Sequence, residues 1–359
     1  MDSTRSAAPT DPTPLTLAPD DRVDLHLHTL ASDGAWTPAA LIDHLAGQGF
    51  RVVAVCDHDS QRSVAEATRL GAARGIRVIP GVEVTTRWAD RQWHLLVYGV
   101  APGRRDPNAT AFQALLTELD ALLQNAAVDA RLRIERSGRA LPSLDGVLAG
   151  RPMWPFHVLS AAIADKHAEN LKQAADLVTE LGGTFTADLP LARVVTAAHE
   201  AGGVCVMAHP GRADSVGVMT EADLEHIRRF IPLDGLEAHY RSYSDAQTAE
   251  YRAMAERHGL LISCGSDSHA PGAPVDPRPW QAAWCADLLT RLGVRVEPVP
   301  DGDPIWAPGM DALAVVPTPD PPPAGSDAVG ETDPASGQAE PAGEQLMEAA
   351  AEREGVGTP

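Results

Sequence analysis

The chain has 359 residues, of which 44% are hydrophobic, so it is long enough to bury the core of one large domain or two ordinary ones. Its 49 Asp and Glu against 29 Lys and Arg give a formal charge of −20, which argues against sequence-independent binding of nucleic acid through a basic surface. The four cysteines lie far apart, which favours reduced thiols in a cytoplasmic protein. No apolar run or N-terminal stretch predicts a membrane span or a secretory signal.

Both ends of the chain have the composition of disordered segments. Residues 1–21 are rich in Pro, Thr, Asp and Ala, and residues 298–359 carry twelve acidic side chains and one Arg. Neither segment has enough apolar surface to offset the entropy of ordering it. We therefore predict disorder over 1–21 and 298–359, apart from a short helix near residues 344–353.

Between these ends, short runs rich in Val and Ile alternate with amphipathic stretches, which is typical of βα units around a parallel sheet. The first predicted elements are strand 23–28, a helix capped by Thr37 and ended by Gly49, strand 51–56, helix 60–74, and strands 76–79 and 93–98. The alternation stops at Ala101. Residues 101–187 have helical periodicity over 111–134 and 168–181, so they are predicted to form a helical insertion.

The alternation of strands and helices resumes after the insertion. The predicted elements are helices 191–201, 221–230 and 244–258 and strands 203–208, 235–239 and 260–264. About seven such strands close more naturally into an α/β barrel than into an open sheet. We therefore expect residues 22–100 and 188–297 to form one barrel domain, with 101–187 inserted into it.

Histidines gather at the ends of the predicted strands. Six of the thirteen lie at or just past a strand end, namely His26, His28, His58, His94, His209 and His269. Three carboxylates share this kind of position, namely Asp33, Glu83 and Asp267. The carboxyl ends of barrel strands form one face, so we expect all nine side chains to converge. Imidazoles and carboxylates without a thiolate predict a multinuclear metal site.

Each of these signals also has a purely structural interpretation. His26 and His28 point to the same face of a strand because side chains alternate, but an H-x-H pair alone fits a structural role equally well. The acids beside His58 fit a helix N-terminus, where the dipole favours them. His94 lies in an apolar strand and fits a core histidine. The joint occurrence of these residues on one rim, with a polar loop delivering Asp33, favours the metal site.

Six sequence motifs carry these residues. They are DLHLHTLASDG (24–34), VCDHDS (55–60), IPGVEVT (79–85), HLLVYG (94–99), VMAHPG (206–211) and CGSDSHA (264–270). Together they resemble the polymerase and histidinol phosphatase (PHP) superfamily of metal-dependent phosphoesterases, over about residues 22–100 and 188–295. The position of the insertion most resembles the branch of the nucleoside 3′,5′-bisphosphate phosphatases, some of which also trim short RNA from the 5′ end.

This resemblance implies a distorted seven-stranded (β/α) barrel with three divalent metal ions. The implied ligand sets are His26, His28, Glu83 and Asp267 for one ion, Glu83, His94 and His209 for a second, and Asp33, His58 and His269 for a third. Manganese, iron and zinc all suit these nitrogen and oxygen ligands. A water held by the metals would attack phosphorus, so no side-chain nucleophile is needed.

Candidate phosphate-binding residues are Arg151, His157, Arg212 and Arg241, because an Arg fork matches the geometry of phosphate. Each of them also fits a surface cation or a structural ion pair. Relatives in this branch tend to carry an Arg-Pro-His segment in the insertion, whereas here the histidine is displaced to His157. His239 follows another predicted strand but matches no ligand position.

These observations predict a metal-dependent phosphatase of a small phosphomonoester. The expected substrate is a nucleotide of the 3′,5′-bisphosphate type or the end of a short oligonucleotide, and the acidic chain argues against long duplex nucleic acid. One alternative is a histidinol-phosphate phosphatase or another small-molecule phosphatase on the same scaffold. A second is a non-catalytic regulatory module, although all nine ligand positions are filled.

Overall fold

The structure is a computed structural model that describes residues 15–212 and 218–310. Within these ranges, short extended segments alternate with helices. The strands are β1 (Leu15–Leu17), β2 (Arg22–Leu27), β3 (Phe50–Val55), β4 (Arg77–Trp88), β5 (Arg91–Tyr98), β6 (Leu189–Pro190), β7 (Val204–Met207), β8 (Gly235–Tyr240), β9 (Leu261–Gly265), β10 (Trp280–Gln281) and β11 (Val294–Val296).

The helices lie between consecutive strands and also form the insertion. They are α1 (Pro38–Gly47), α2 (Val64–Ala73), α3 (Pro107–Arg136), α4 (Leu144–Leu148), α5 (Pro155–Ala164), α6 (Leu171–Glu180), α7 (Leu191–Glu200), α8 (Glu221–Arg228), α9 (Asp245–His258) and α10 (Ala286–Arg291), with a 3₁₀ turn at Ala282–Cys285. The start of α1 is as predicted, because the Thr37 hydroxyl accepts a hydrogen bond from Ala40 N at 3.1 Å. None of the described helices is both long and apolar enough to cross a membrane.

The main sheet is mixed and nearly closed. It has nine strands in the order β10-β2-β3-β4-β5-β7-β8-β9, with β6 paired to β4. Backbone hydrogen bonds from His28 N to Ser268 O (3.0 Å) and from Asp267 N to His26 O (2.8 Å) join the first and last parts of this sheet. The protein therefore has an α/β fold whose sheet curls into a barrel and gathers the carboxyl ends of its parallel strands at one rim.

Strand β4 is much longer than the predicted strand 76–79. It continues to Trp88 and pairs with β5 as an antiparallel hairpin. Gly81 allows this path, because a Cβ there would lie 2.5 Å from Cys56 Sγ. The hairpin extends past the end of the neighbouring β3, so that Glu83 and His94 reach the rim from facing strands.

Apolar side chains lie on both faces of the sheet. The barrel interior is filled by residues such as Leu25, Ala54, Leu96 and Val206. On the outside, α1 and α2 cover one part of the sheet, and α3, α7, α8 and α9 cover the other. Because both faces of the sheet are buried, the strands are continuous apolar runs. Charged residues inside the barrel are therefore unusual, since burying a charge is costly unless it is compensated.

The predicted insertion consists of four helices, two of which the periodicity did not indicate. It has a separate hydrophobic cluster formed by α4, α5, α6 and the second half of α3. The first half of α3 packs against the barrel through residues such as Phe112 and Leu119. Helix α3 thereby connects the two cores and holds the insertion beside the barrel.

Disorder was wrongly predicted for parts of both ends. Leu15–Leu17 form strand β1, which pairs in parallel with β11, and the Leu17 side chain is fully buried. Trp306 and Met310 pack against the same interior cluster. Three paired residues and two isolated apolar anchors are too few to give a periodic signal. Residues 1–14 and 311–359, including the predicted helix 344–353, lie outside the described residues.

Candidate metal centre

All nine predicted ligands lie together at the rim of the barrel. His26 and Glu83 lie within β2 and β4, His94 lies near the start of β5, and the other six side chains follow the ends of their strands. Neighbouring imidazoles are close, with ring centroids 4.0 Å apart for His28 and His269 and 4.7 Å apart for His28 and His58. The six histidines therefore form one continuous cluster rather than separate structural pairs.

Glu83 lies at the middle of this cluster. Its Oε1 is 2.8 Å from His94 Nδ1 and 2.9 Å from His209 Nε2. Its Oε2 is 3.0 Å from His26 Nε2, 3.2 Å from His28 Nε2 and 3.3 Å from His58 Nδ1. Burial alone would raise the pKa of Glu83, but the imidazoles, led by His26, outweigh burial and hold this pKa well below its usual range.

The other two carboxylates also contact the histidines of the cluster. Asp267 Oδ1 is 2.9 Å from His28 Nε2 and 3.5 Å from His26 Nε2. Asp33 Oδ1 is 3.4 Å from His269 Nε2, and Asp33 Oδ2 is 3.8 Å from His58 Nε2. Each carboxylate therefore faces at least two imidazoles.

The donor atoms fall into overlapping groups whose members all lie within 4.8 Å of one another. These groups are His26, His28, Glu83 and Asp267; His28, Asp33, His58 and His269; and His58, Glu83 and His94. The first group has the same four members as the first implied ligand set. The others differ from the implied sets because His28 and His58 each approach two groups, and His209 is in contact with Glu83.

Unpartnered ring nitrogens indicate that these residues fit bound metal ions. His28 Nδ1, His94 Nε2 and His209 Nδ1 are buried and have no hydrogen-bond partner within residues 15–212 and 218–310. A buried polar atom without a partner is costly, and metal coordination is one way to satisfy it. The mixture of imidazole and carboxylate donors suits Mn²⁺, Fe²⁺ and Zn²⁺.

Three of the six non-glycine residues with positive φ in the described part of the chain lie at the same rim. Asp59, His209 and Asp267 have φ values of 52°, 27° and 53°, in the left-handed region that is unfavourable for residues other than glycine. Each such residue costs about 1–3 kcal/mol and persists only where surrounding contacts enforce it. Strain of this kind is typical of functional sites.

Two acids next to His58 hold the site together rather than joining the donor cluster. Asp57 accepts hydrogen bonds from Thr29 N (2.6 Å), from the Thr29 and Ser32 hydroxyls, and from the Ser63 hydroxyl, so it anchors the loop that carries Asp33. Asp59 accepts from Thr85 N at 2.7 Å, and burial raises its pKa to about 7. In the sequence both acids lie beside a histidine, and this position alone does not distinguish an acid that accepts hydrogen bonds from one that binds a metal ion.

Two of the four candidate phosphate-binding residues lie beside the donor cluster. Arg212 is buried and donates to Asp267 Oδ2 at 3.3 Å, and Arg241 is buried and donates to the Asp267 carbonyl at 3.3 Å. The hydroxyl of Tyr240, which the sequence did not single out, also donates to Asp267 Oδ2, at 2.9 Å. Asp267 thus connects the metal donors to a pair of cations.

The other two candidates lie on the insertion. The Arg151 guanidinium donates to the carbonyl oxygens of Val147, Leu148 and Leu30, the last in the loop after β2. His157 Nδ1 accepts from the backbone of Trp154 at 3.1 Å. Burial, together with the nearby Arg151 charge, lowers the pKa of His157 to about 4, so this imidazole is neutral at pH 7.

A cavity separates the rim from the insertion. Asp33, His58, Asp59, Thr85 and His94 line its barrel side, and the insertion side is formed by Leu123, Trp154, Pro155, Phe156 and Phe185. The Trp154 ring is fixed by a hydrogen bond from its Nε1 to Asp120 at 2.8 Å. Sequence reasoning missed this wall because Phe185 lies far along the chain from Trp154 and Phe156, so the three rings have no shared spacing.

His239 does not lie on the rim. A register irregularity between Glu237 and His239 turns Glu237 into the barrel interior, where it contacts His26. His239 instead stacks on Trp284 with a centroid distance of 4.9 Å and contacts Arg252 at 2.8 Å. Sequence analysis also did not single out Glu237. A charged residue in an apolar strand was a signal that could have identified it.

The chain resembles known phosphoesterases over most of their length. No protein-family model matches it. The 3′,5′-nucleoside bisphosphate phosphatase of Chromobacterium violaceum is 30% identical, in a match that covers 70% of this chain and 88% of that protein. A 5′-3′ exoribonuclease of Haemophilus influenzae is also 30% identical, covering 70% of this chain and 90% of that enzyme.

A solved structure shows the same fold. A metal-dependent phosphoesterase from Bifidobacterium adolescentis superposes with a TM-score of 0.63 and 27% identity, covering 76% of this chain and 97% of that one. The curated relatives named above are hydrolases of phosphoester bonds, and the donor cluster of this chain has the chemistry that such enzymes need. The chain therefore belongs to the PHP superfamily and is a metal-dependent hydrolase of phosphoester bonds.

Proposed function

We propose that the nine donors hold three divalent metal ions and that the enzyme hydrolyses a phosphomonoester of a small nucleotide, of the 3′,5′-bisphosphate type, or at the end of a short oligonucleotide. The observation that carries this proposal is the cavity between the metal donors and the aromatic wall of the insertion. The relatives named as a nucleoside bisphosphate phosphatase and an exoribonuclease support the same substrate class.

The proposed fold and ligand sets follow the superfamily. We assign β2 to β5 and β7 to β9 to a distorted seven-stranded barrel, and the ligand sets to His26, His28, Glu83 and Asp267; Glu83, His94 and His209; and Asp33, His58 and His269. When bound, divalent ions lower the pKa of a coordinated water and offset the charge that develops on the phosphate oxygens.

The two arginines beside Asp267 are the proposed phosphate-binding residues. Arg212 donates to the carboxylate of Asp267 and Arg241 donates to its backbone carbonyl. Asp267 is also a proposed metal ligand, so a phosphate at the donors would lie within reach of both guanidinium groups. Arg forks bind phosphate oxygens in pairs and hold their orientation. Arg151 and His157 are proposed to act from the insertion side, where they order the residues around the cavity.

The aromatic wall favours a nucleoside over a small polar alcohol. Trp154, Phe156 and Phe185 present apolar ring surface a short distance from His58 and His94. A purine or pyrimidine base can stack on such rings over a larger flat face than the single imidazole of histidinol or the C–H face of a sugar. Base stacking on an aromatic side chain contributes about 1–3 kcal/mol.

Replacing Phe185 by Ala is therefore expected to raise KM for a nucleotide by about 5- to 150-fold, which corresponds to the loss of one base-stacking contact. KM for glycerol phosphate, which has no base, should stay within about twofold. Steady-state phosphate release measures both values. The matched control is Phe230→Ala, because the Phe230 ring is exposed just after the end of α8 and lies outside the cavity.

Equal effects of Phe185→Ala on the two substrates would contradict base binding by the aromatic wall. In that case the histidinol-phosphate type of substrate would become the better proposal.

A substrate panel tests the proposed function as a whole. Phosphate release would be measured for adenosine 3′,5′-bisphosphate, AMP, histidinol phosphate and a 5′-phosphorylated short RNA, with added Mn²⁺ and after chelation. We expect the bisphosphate or the RNA to be the best substrate and all turnover to stop on chelation. Turnover of histidinol phosphate alone, or turnover of none of them by protein that holds metal, would overturn the nucleotide assignment.

The remaining proposals concern partners and location. The excess of acidic residues supports small substrates and short strands over long duplex nucleic acid, because a duplex needs many basic contacts. The four cysteines are buried and none of them forms a disulfide, which supports a reducing, cytoplasmic environment.

A further inference from the structure

Glu237 is a fully buried acid near the middle of β8, inside the barrel and below the metal donors. Its Oε2 accepts a hydrogen bond from His209 N at 2.7 Å. Its Oε1 lies 3.0 Å from His26 Nδ1. Both carboxylate oxygens therefore contact proposed metal ligands, and neither faces the cavity.

We propose that Glu237 is a positioning residue, which fixes His26 so that its Nε2 is unprotonated and faces the metal donors. An ionised carboxylate is only an acceptor. The backbone N–H of His209 occupies one of its oxygens, and the other therefore needs the hydrogen on His26 Nδ1. A metal-bound imidazole is neutral and carries one hydrogen, so in the metal-bound centre His26 Nε2 is left with a lone pair.

The surroundings of His26 Nε2 agree with this assignment. It points at Glu83 Oε2, 3.0 Å away, and at Asp267 Oδ1, 3.5 Å away. The lone pair of His26 Nε2 and the two carboxylate oxygens repel one another by themselves. The same arrangement suits three ligands of one cation. The inference rests on the proposed function in this respect, because it takes His26 as a metal ligand.

Gly265 supplies an independent observation. A Cβ at this position would lie 2.2 Å from Glu237 Oε1 and 2.3 Å from His26 Cβ. The next strand of the barrel must therefore present a residue without a side chain where Glu237 meets His26. The fold thus leaves room for this contact and for little else.

The opposite end of the barrel offers a matched comparison. Asp234, just before β8, accepts a hydrogen bond from Cys205 N at 2.7 Å and contacts His199 Nε2 at 2.7 Å. It makes the same two kinds of contact as Glu237, but it lies away from the nine donors. A purely structural carboxylate–imidazole pair should behave like Asp234.

The test is Glu237→Gln in the full chain. Glutamine has the same shape but one acceptor oxygen, so its NH₂ group must face either His209 N–H or His26 Nδ1. Facing His26, it would move the imidazole hydrogen to Nε2. We expect one of the Mn²⁺ sites to bind about 10- to 100-fold more weakly, as is usual when the partner of a metal-bound histidine is lost. Calorimetric titration of metal-free protein with MnCl₂ measures this change.

Melting temperatures separate positioning from a role in folding. The metal-free protein should melt at nearly the same temperature with and without Glu237→Gln, whereas the stabilisation by Mn²⁺ should shrink. Asp234→Asn should leave Mn²⁺ affinity unchanged. Glu237→Asp, which keeps the charge but withdraws it by one methylene, is the second variant and should also weaken one site.

Unchanged Mn²⁺ affinity in both Glu237 variants would overturn the inference and leave the proposed function intact. A drop in metal-free melting temperature as large as the drop in the metal-loaded one would also overturn it. Wild-type protein that binds no Mn²⁺ would overturn the proposed metal centre and the inference together.

Discussion

Glu83→Gln is expected to lower kcat/KM by about 1000-fold or more. Each of the two carboxylate oxygens of Glu83 contacts at least two imidazoles, and two of the three proposed ligand sets share this residue. An amide retains one weaker acceptor oxygen and turns an NH₂ group towards the other imidazoles. Metal ions contribute several kcal/mol to phosphoester hydrolysis, and each loss of about 1.4 kcal/mol is tenfold in rate.

Initial rates of phosphate release at low substrate measure this effect. The control is Glu118→Gln, because Glu118 is exposed and pairs with Arg193 on the protein surface. That variant should retain the wild-type rate. A Glu83→Gln protein with more than about a tenth of the wild-type kcat/KM would show that Glu83 is not shared between metal ions.

Asp57→Ala is expected to lower the free energy of unfolding by about 3 kcal/mol, because it leaves several buried donors without their charged acceptor. Asp57 is fully buried and accepts from Thr29 N, Ser32 Oγ and Ser63 Oγ, among others. It fixes the loop that carries Asp33, so activity should also fall. Urea denaturation at pH 7 measures the stability.

The control for this variant is Asp43→Ala. Asp43 is exposed and makes one ion pair with Arg74, and surface pairs of this kind contribute little. Its removal should change stability by less than about 1 kcal/mol. If the two variants are equally stable, the hydrogen bonds of Asp57 do not anchor the loop after β2.

Local patterns in the sequence predict most of the barrel. The Thr37 cap, the apolar strands and the resumption of alternation at residue 191 each depend on near neighbours, and the structure has these elements within a few residues of the predicted ends. The nine proposed metal ligands could be listed because most of them lie at or just past a strand end, where the topology of a barrel brings residues together.

Other parts of the structure depend on contacts between distant residues, and these have no local pattern. The β4–β5 hairpin requires Gly81 to pass Cys56. The inward position of Glu237 depends on an irregularity in the pairing of β8 with β9. The aromatic wall combines Trp154 and Phe156 with Phe185, which lies beyond α6. Sequence periodicity predicts none of these three features, because the residues that form each contact are far apart in the chain.

The central claim is that divalent metal ions bind the histidine and carboxylate cluster around Glu83. The most direct measurement is anomalous X-ray scattering at the manganese edge from crystals soaked in MnCl₂. We expect strong anomalous peaks between Glu83, Asp267 and the six rim histidines. The absence of peaks there, or peaks confined to the His199 and Asp234 pair at the other end of the barrel, would contradict it.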